Sequence, residues 1–127
     1  MDLNQVTIKV DDFKAAVSFY KLIGLRLIVS ERDEYARFEL PSGSTTLSLH
    51  IADRSSNSGT VIYFEVDDVD QRYAELTSLG VRFDTKPQDQ TWLWREARLT
   101  DPAGNKLCLY HAGANRRFPP WRIETSL

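Results

Sequence analysis

With 127 residues, 42% of them hydrophobic and 27% charged, the chain has the size and composition of a globular protein with a full core. A net charge of −2 and a pI near 5.7 leave no basic footprint for nucleic acid, and no apolar run approaches the roughly 20 residues that cross a bilayer. The lone cysteine, Cys108, excludes an internal disulfide; with no secretion-type segment at the N-terminus, the expected location is the cytoplasm.

Val6, Ile8 and Val10 alternate with Gln5, Thr7 and Lys9, the period of a half-buried strand. Asp11 or Asp12 can then cap a helix carrying Phe13, Ala16, Val17, Tyr20 and Ile23 at helical spacing, with Gly24 placed to end it. Strands are expected near 25–31, 35–40 and 45–52, the last two joined by a turn at Pro41-Ser42-Gly43-Ser44. A polar, serine-rich linker, 53–59, comes next. The pattern then starts again. A strand at 60–66 leads to a helix at 68–79, capped by Asp67 or Asp68 and ended by Gly80, and strands follow near 81–85, 92–100 and 105–111. The tail, 112–127, contains Arg116-Arg117-Phe118-Pro119-Pro120-Trp121, too apolar to float free, and is expected to pack on the body or on a partner subunit.

The two halves are copies. Val10-Asp11-Asp12, Gly24 and Arg26 recur 56 positions later as Val66-Asp67-Asp68, Gly80 and Arg82. Pro41, Gly43 and His50 recur 61 positions later as Pro102, Gly104 and His111. Each copy is a β-α-β-β-β unit that must bury its apolar face against something, which makes the duplication a statement about architecture. The fold class expected is α+β, within one domain of two modules, about 1–52 and 60–111.

Paired units with Phe19-Tyr20, Leu22-Ile23-Gly24-Leu25, Phe64-Glu65-Val66-Asp67-Asp68, Trp92-Leu93-Trp94-Arg95-Glu96 and Asp101-Pro102-Ala103-Gly104-Asn105 resemble the glyoxalase/bleomycin-resistance/extradiol-dioxygenase group, the vicinal oxygen chelate superfamily. The resemblance covers about residues 3–111. It implies two curved sheets around a central cup, helices on the outer side, and a homodimer. In the family's enzymes a divalent metal sits in the cup, held by one residue on each module's first strand and one on each last strand. Those places fall here on Gln5, Val61, Leu47 and Cys108; with Leu47 there, Leu49 and Ile51 also turn into the cup, so either the cup is apolar on that side or the first module's last strand is shifted by one. Valine and leucine have no donor atom, and an amide with one thiol does not replace the oxygen and imidazole set that such ions need. No metal, cofactor or catalytic residue is therefore assigned. His50 and His111 lie three positions past the ligand places and so are expected on the opposite face, exposed or hydrogen-bonded at strand ends.

The same parity turns Gln5, Thr7 and Lys9, Val61, Tyr63 and Glu65, and Cys108 and Tyr110 into the cup. It adds Arg37 and Glu39 with Tyr35 from the strand at 35–40, and Trp92, Trp94 and Glu96. The expected ligand-binding set is Gln5, Thr7, Arg37, Glu39, Tyr63, Glu65, Trp92, Trp94, Cys108 and Tyr110. An aromatic, partly acidic pocket of this kind suits a flat organic molecule, and a cationic one could draw on Glu39, Glu65 or Glu96. One reading is a metal-free protein that sequesters a small aromatic compound in a homodimer. The others are a metal-dependent lyase, isomerase or dioxygenase with a site rearranged around Gln5, His50, Cys108 or His111, and a protein-binding module whose cup is filled by its own side chains or by the Phe118–Trp121 tail.

Overall fold

The computed structural model describes residues 1–53 and 59–123. Its elements follow the duplication: β1 (Gln5–Val10), α1 (Phe13–Leu22), β2 (Arg26–Glu31), β3 (Tyr35–Glu39) and β4 (Thr46–Ile51), then β5 (Val61–Glu65), α2 (Val69–Ser78), β6 (Gln88–Asp89), β7 (Arg95–Thr100) and β8 (Lys106–His111). They make two four-stranded mixed sheets, ordered β1-β4-β3-β2 and β5-β8-β7-β6. In each, the first strand pairs in parallel with the last and the remaining pairs are antiparallel. This is the α+β fold of two curved, unclosed sheets that the sequence led us to expect.

The helix boundaries have local causes. Asp12 Oδ1 accepts from Ala15 N at 3.1 Å, and Asp68 Oδ1 accepts from Gln71 N at 3.0 Å, so the second aspartate of each Val-Asp-Asp is the cap. Gly24 and Gly80 have φ of 109° and 95°, a conformation open to glycine, which lets Leu25 N and Val81 N bond back to Tyr20 O and Leu76 O.

The helices lie over one face of each sheet. Val6, Ile8, Val10, Phe38, Leu47 and Leu49 from the first module, and Leu76, Leu99, Leu107 and Leu109 from the second, belong to one continuous core. One junction between the modules is sealed by a polar network. The buried Tyr20 hydroxyl donates to Asp101 Oδ2 at 2.7 Å, Asp101 also accepts from Ala103 N, Asn105 N and Asn105 Nδ2, and Asn105 Nδ2 donates to Lys9 O.

Several expectations need correction. No strand forms over 81–85: Phe83 makes an isolated bridge to Leu99, and the edge strand is the two-residue β6. Pro87, with no N–H, separates the two pieces. The strand expected from residue 92 begins only at Arg95. Residues 90–94 form a turn, with Gln90 N bonded to Trp94 O and Leu93 at φ 67°. The tail starts with a 3-10 turn, Gly113–Asn115, and is fastened where Glu65 Oε2 accepts from Ala112 N and Gly113 N. Phe118, Trp121 and Ile123 nonetheless stand more than half exposed, so the tail's apolar side chains do not bury on their own chain. Positions 54–58 of the linker and 124–127 of the tail lie outside the described residues. Among the described residues, no helix is long and apolar enough to cross a membrane.

Candidate functional site

The face of each sheet away from the helices carries the polar and aromatic residues. On the first sheet, register fixes its membership. Gln5, Thr7 and Lys9 pair with Thr46, Ser48 and His50, which pair in turn with Glu39, Arg37 and Tyr35. Leu47, Leu49 and Ile51 therefore point to the helix side, with the first two fully buried there. Of the two alternatives for this strand the one-residue shift is thus the one observed, and Leu47 does not hold the ligand-equivalent place. Ser48 holds it. The turn glycine precedes the inward residue by five positions in the first module and by four in the second, and one residue reverses every side chain of a strand.

The same slip corrects His50, which lies on the concave face beside Lys9 and Tyr35, whereas His111 pairs with Arg95 on the helix side. Both are exposed, and each Nδ1 meets a backbone oxygen, Ile51 O at 3.0 Å and Val66 O at 2.8 Å.

A hydrogen-bond chain runs across this first face. Arg37 Nε donates to the Tyr35 hydroxyl at 2.9 Å, Tyr35 and Ser48 share a hydrogen bond of 2.8 Å, and Gln5 Nε2 donates to Ser48 Oγ at 2.6 Å. Thr46 Oγ1 donates to Gln5 Oε1, and Gln5 Nε2 also reaches Thr7 Oγ1 at 3.3 Å. The bond with Ser48, with Arg37 beside it, holds the Tyr35 phenol below its ordinary pKa. Glu39 sits apart at the sheet's margin, 3.7 Å from Arg26.

The second face is aromatic. Trp94 stacks on Tyr110 with centroids 4.8 Å apart and planes at 27°, and Tyr63 meets both rings edge-on, at 6.0 and 5.5 Å. Such geometry suits the quadrupoles of the rings. Cys108 and Val61 lie behind this cluster. Glu96 is 3% exposed yet fully partnered: Oε1 accepts from Arg98 Nη2 at 2.9 Å, and Oε2 accepts from Trp92 Nε1 at 3.0 Å. Arg98 also lies 5.5 Å from the Tyr63 centroid. Tyr63 and Trp92 remain 44% and 41% exposed, so ring surface is open to a ligand.

Of the ten residues expected to bind ligand, the structure gathers Gln5, Thr7 and Arg37 on one face, and Tyr63, Trp92, Trp94, Cys108 and Tyr110 on the other. Glu39 stands at a margin, and Glu65 turns its carboxylate to the amides of Ala112 and Gly113, with Arg116 3.9 Å away. Sequence reasoning missed Ser48 and Arg98. Continuing the alternation of Trp94 and Glu96 by two residues would have found Arg98. The Gln5–Ser48–Tyr35–Arg37 chain stays within the first module, and the Trp92–Glu96–Arg98 bonds and the ring cluster stay within the second.

The metal places, corrected to Gln5, Ser48, Val61 and Cys108, do not fit a divalent ion. Gln5 Oε1 already accepts from Thr46, the neutral Ser48 hydroxyl is shared with Gln5 and Tyr35, and Val61 has no donor atom. Cys108 adds one buried soft donor beside a valine, which does not make the oxygen and imidazole set that such an ion needs; burial, with the Glu96 carboxylate nearby, pushes its thiol up to about 12. Among the described residues, no group of three or more His, Cys, Asp or Glu is placed to hold a metal ion.

The family model for the Glyoxalase/Bleomycin resistance protein/Dioxygenase superfamily matches residues 2–109, and the chain belongs to that superfamily. It is 34% identical to YraH, an uncharacterised protein of Bacillus subtilis (strain 168), over 125 residues that cover 87% of this chain and 98% of YraH. Among solved structures it resembles TnmS3, an antibiotic-binding protein from Streptomyces sp. CB03234, with a TM-score of 0.75 at 24% identity, covering 88% of this chain and 96% of TnmS3. It also resembles a bleomycin-binding protein complexed with bleomycin, with a TM-score of 0.69 at 20% identity, covering 87% and 98% of the two chains. At these identities the likeness to the two structures is one of fold.

Proposed function

We propose that this chain binds a planar aromatic compound without turning it over, holding it against the Tyr63–Trp94–Tyr110 surface. The observation that carries this reading is the ring cluster itself: three aromatic side chains in mutual contact, backed by core, with Tyr63 presented to solvent. A flat ligand gains by laying its own face or edge on such a surface. The donor set at Gln5, Ser48, Val61 and Cys108 argues against the family's metal-assisted chemistry, which needs an ion to polarise oxygen.

A single ring face is one-sided, and a site that buries most of a ligand needs a second wall. We assign that wall to the Arg37–Tyr35–Ser48–Gln5 face of a second copy, which makes the functional unit a homodimer. The antibiotic-binding and bleomycin-binding proteins of like fold support this choice among the family's activities. Because Glu96 is matched by Arg98 and Glu65 by backbone amides, a positive charge on the compound would meet ring faces rather than a free carboxylate, for roughly 0.5–2 kcal/mol. Ring shape, more than charge, is then what the site recognises. With its single, protonated thiol the protein suits a reducing, cytoplasmic setting.

Titration with acridine- and naphthalene-type compounds, followed by tryptophan emission, tests the proposal. Quenching is expected to saturate in the wild type, to be lost in Trp94→Ala and to persist in Trp121→Ala, with sedimentation giving a dimer. Unchanged binding by Trp94→Ala would refute the assignment.

A further inference from the structure

The two halves repeat each other, yet the two junctions between them are built differently. At the first junction Tyr20 and Phe38 fill the space between helix and sheet, both fully buried, and Tyr20 bonds to Asp101 across the modules. By the internal repeat, Tyr20 corresponds to Leu76, Phe38 to Leu99, Asp101 to Leu40, and Asn105 to Ser44. The second junction thus has Leu76, Leu99, Leu40 and Ser44 in place of two aromatic rings and the polar seal, with Phe83 standing where the first half has Leu27.

A cavity of about 570 Å³ lies there. Its wall includes Leu40, Leu76, Phe83, Leu99, Leu107 and Leu109, mostly on the helix side of the second sheet, and it reaches Tyr63 and Glu65 of β5. The volume falls within the roughly 300–1,000 Å³ typical of small-molecule pockets. Two of the residues that replace the first junction's network, Leu76 and Leu40, line it directly. Its polar lining is Ser42, Glu65, Asp67 and Arg72, whose guanidinium donates to Ile23 O at 2.9 Å and pairs with Glu75 at 3.0 Å. Arg72 takes the place that the fully buried Ala16 holds in the other half.

From this asymmetry we infer that the second junction is a separate binding site for a small, uncharged phenolic molecule. The argument is internal to the chain. The same backbone arrangement that encloses the phenol of Tyr20 in one half is repeated in the other without the phenol. An apolar ring replaces the missing side chain, and its hydroxyl finds partners only at the rim, since Leu40 offers none where Asp101 would stand. The site touches the aromatic surface proposed above at Tyr63, but Trp94 and Tyr110 do not line it, so either can fail without the other.

The test uses the full-length protein, methyl-labelled at leucine, titrated with p-cresol, the side chain of tyrosine as a free molecule. Saturable shifts are expected at the methyl groups of Leu76, Leu99, Leu107 and Leu109, while the emission of Trp94 stays unchanged. Leu76→Phe and Leu40→Phe, which put a ring into the space from the helix and from the rim, should each melt no lower than wild type and lose the cresol shifts. Absence of shifts in the wild type would overturn the inference. So would shifts that persist in a folded filled variant, or shifts that appear on raising protein concentration without cresol, which would mean that a second copy occupies the space.

Discussion

Replacing Tyr20 by phenylalanine removes one oxygen from the centre of the sealed junction and little else. The hydroxyl is buried, donates to Asp101 Oδ2 at 2.7 Å, and joins residues 81 positions apart. Burial and the Asp101 carboxylate raise its pKa far above the ordinary phenol range, so it is the donor at any ordinary pH. Without it the carboxylate, itself 4% exposed, keeps three donors, from Ala103 N, Asn105 N and Asn105 Nδ2. A hydrogen bond to a charged group contributes about 1.5–3 kcal/mol, and that range is the expected loss. With an unfolding entropy of about 2.1 cal/mol/K per residue, a chain of this length should melt about 6–11 °C lower. Calorimetry at pH 7, paired with urea unfolding, measures both. A double-mutant cycle with Asp101→Asn should return a coupling of at least about 0.5 kcal/mol. A loss below about 0.5 kcal/mol at neutral pH would show that the junction is not held by this bond, and would remove the contrast on which the second cavity rests.

Cys108 makes the protein sensitive to alkali. Its folded pKa is raised from 9.0 to about 12, so the stability it contributes is complete below pH 9 and falls as pH climbs towards 12, by up to about 1.4 kcal/mol per unit. Cys108→Ser should flatten the stability profile between pH 9 and 10, before tyrosines titrate in the unfolded chain; an unaltered slope would contradict this. The same burial predicts that a disulfide reagent modifies Cys108 at the rate of unfolding, not at the rate of a free thiol, which stopped-flow absorbance can decide.

Much of the fold was legible because local rules and the repeat agreed. The second aspartate of each Val-Asp-Asp caps a helix, and each following glycine ends it. The failures came where one residue's count or one turn's shape decided the outcome. In β4 the plain alternation of Leu47, Leu49 and Ile51 against Thr46, Ser48 and His50 conflicted with a position inherited by resemblance and left two alternatives, of which the register settles for the alternation. Local apolar period is the stronger signal there, because reversing it would expose three aliphatic side chains. Trp92 read as strand because nothing in its neighbours announces the left-handed conformation at Leu93. The carboxylates read as ligand anchors because a sequence lists charges without their partners; Glu96 and Glu65 are both spoken for. The cavity was written in the repeat as Tyr20 against Leu76 and Asp101 against Leu40, but only packing turns that difference into space.

The central claim is that the family's ion has no place here, so that binding replaces turnover. Metal content after loading with Zn²⁺, Ni²⁺, Mn²⁺ or Fe²⁺ and desalting tests it directly, by elemental analysis of wild type and Gln5→Ala. Ions only at background level in both proteins are the predicted result. One ion per chain in the wild type, lost in Gln5→Ala, would contradict the account and return this chain to the family's enzymes.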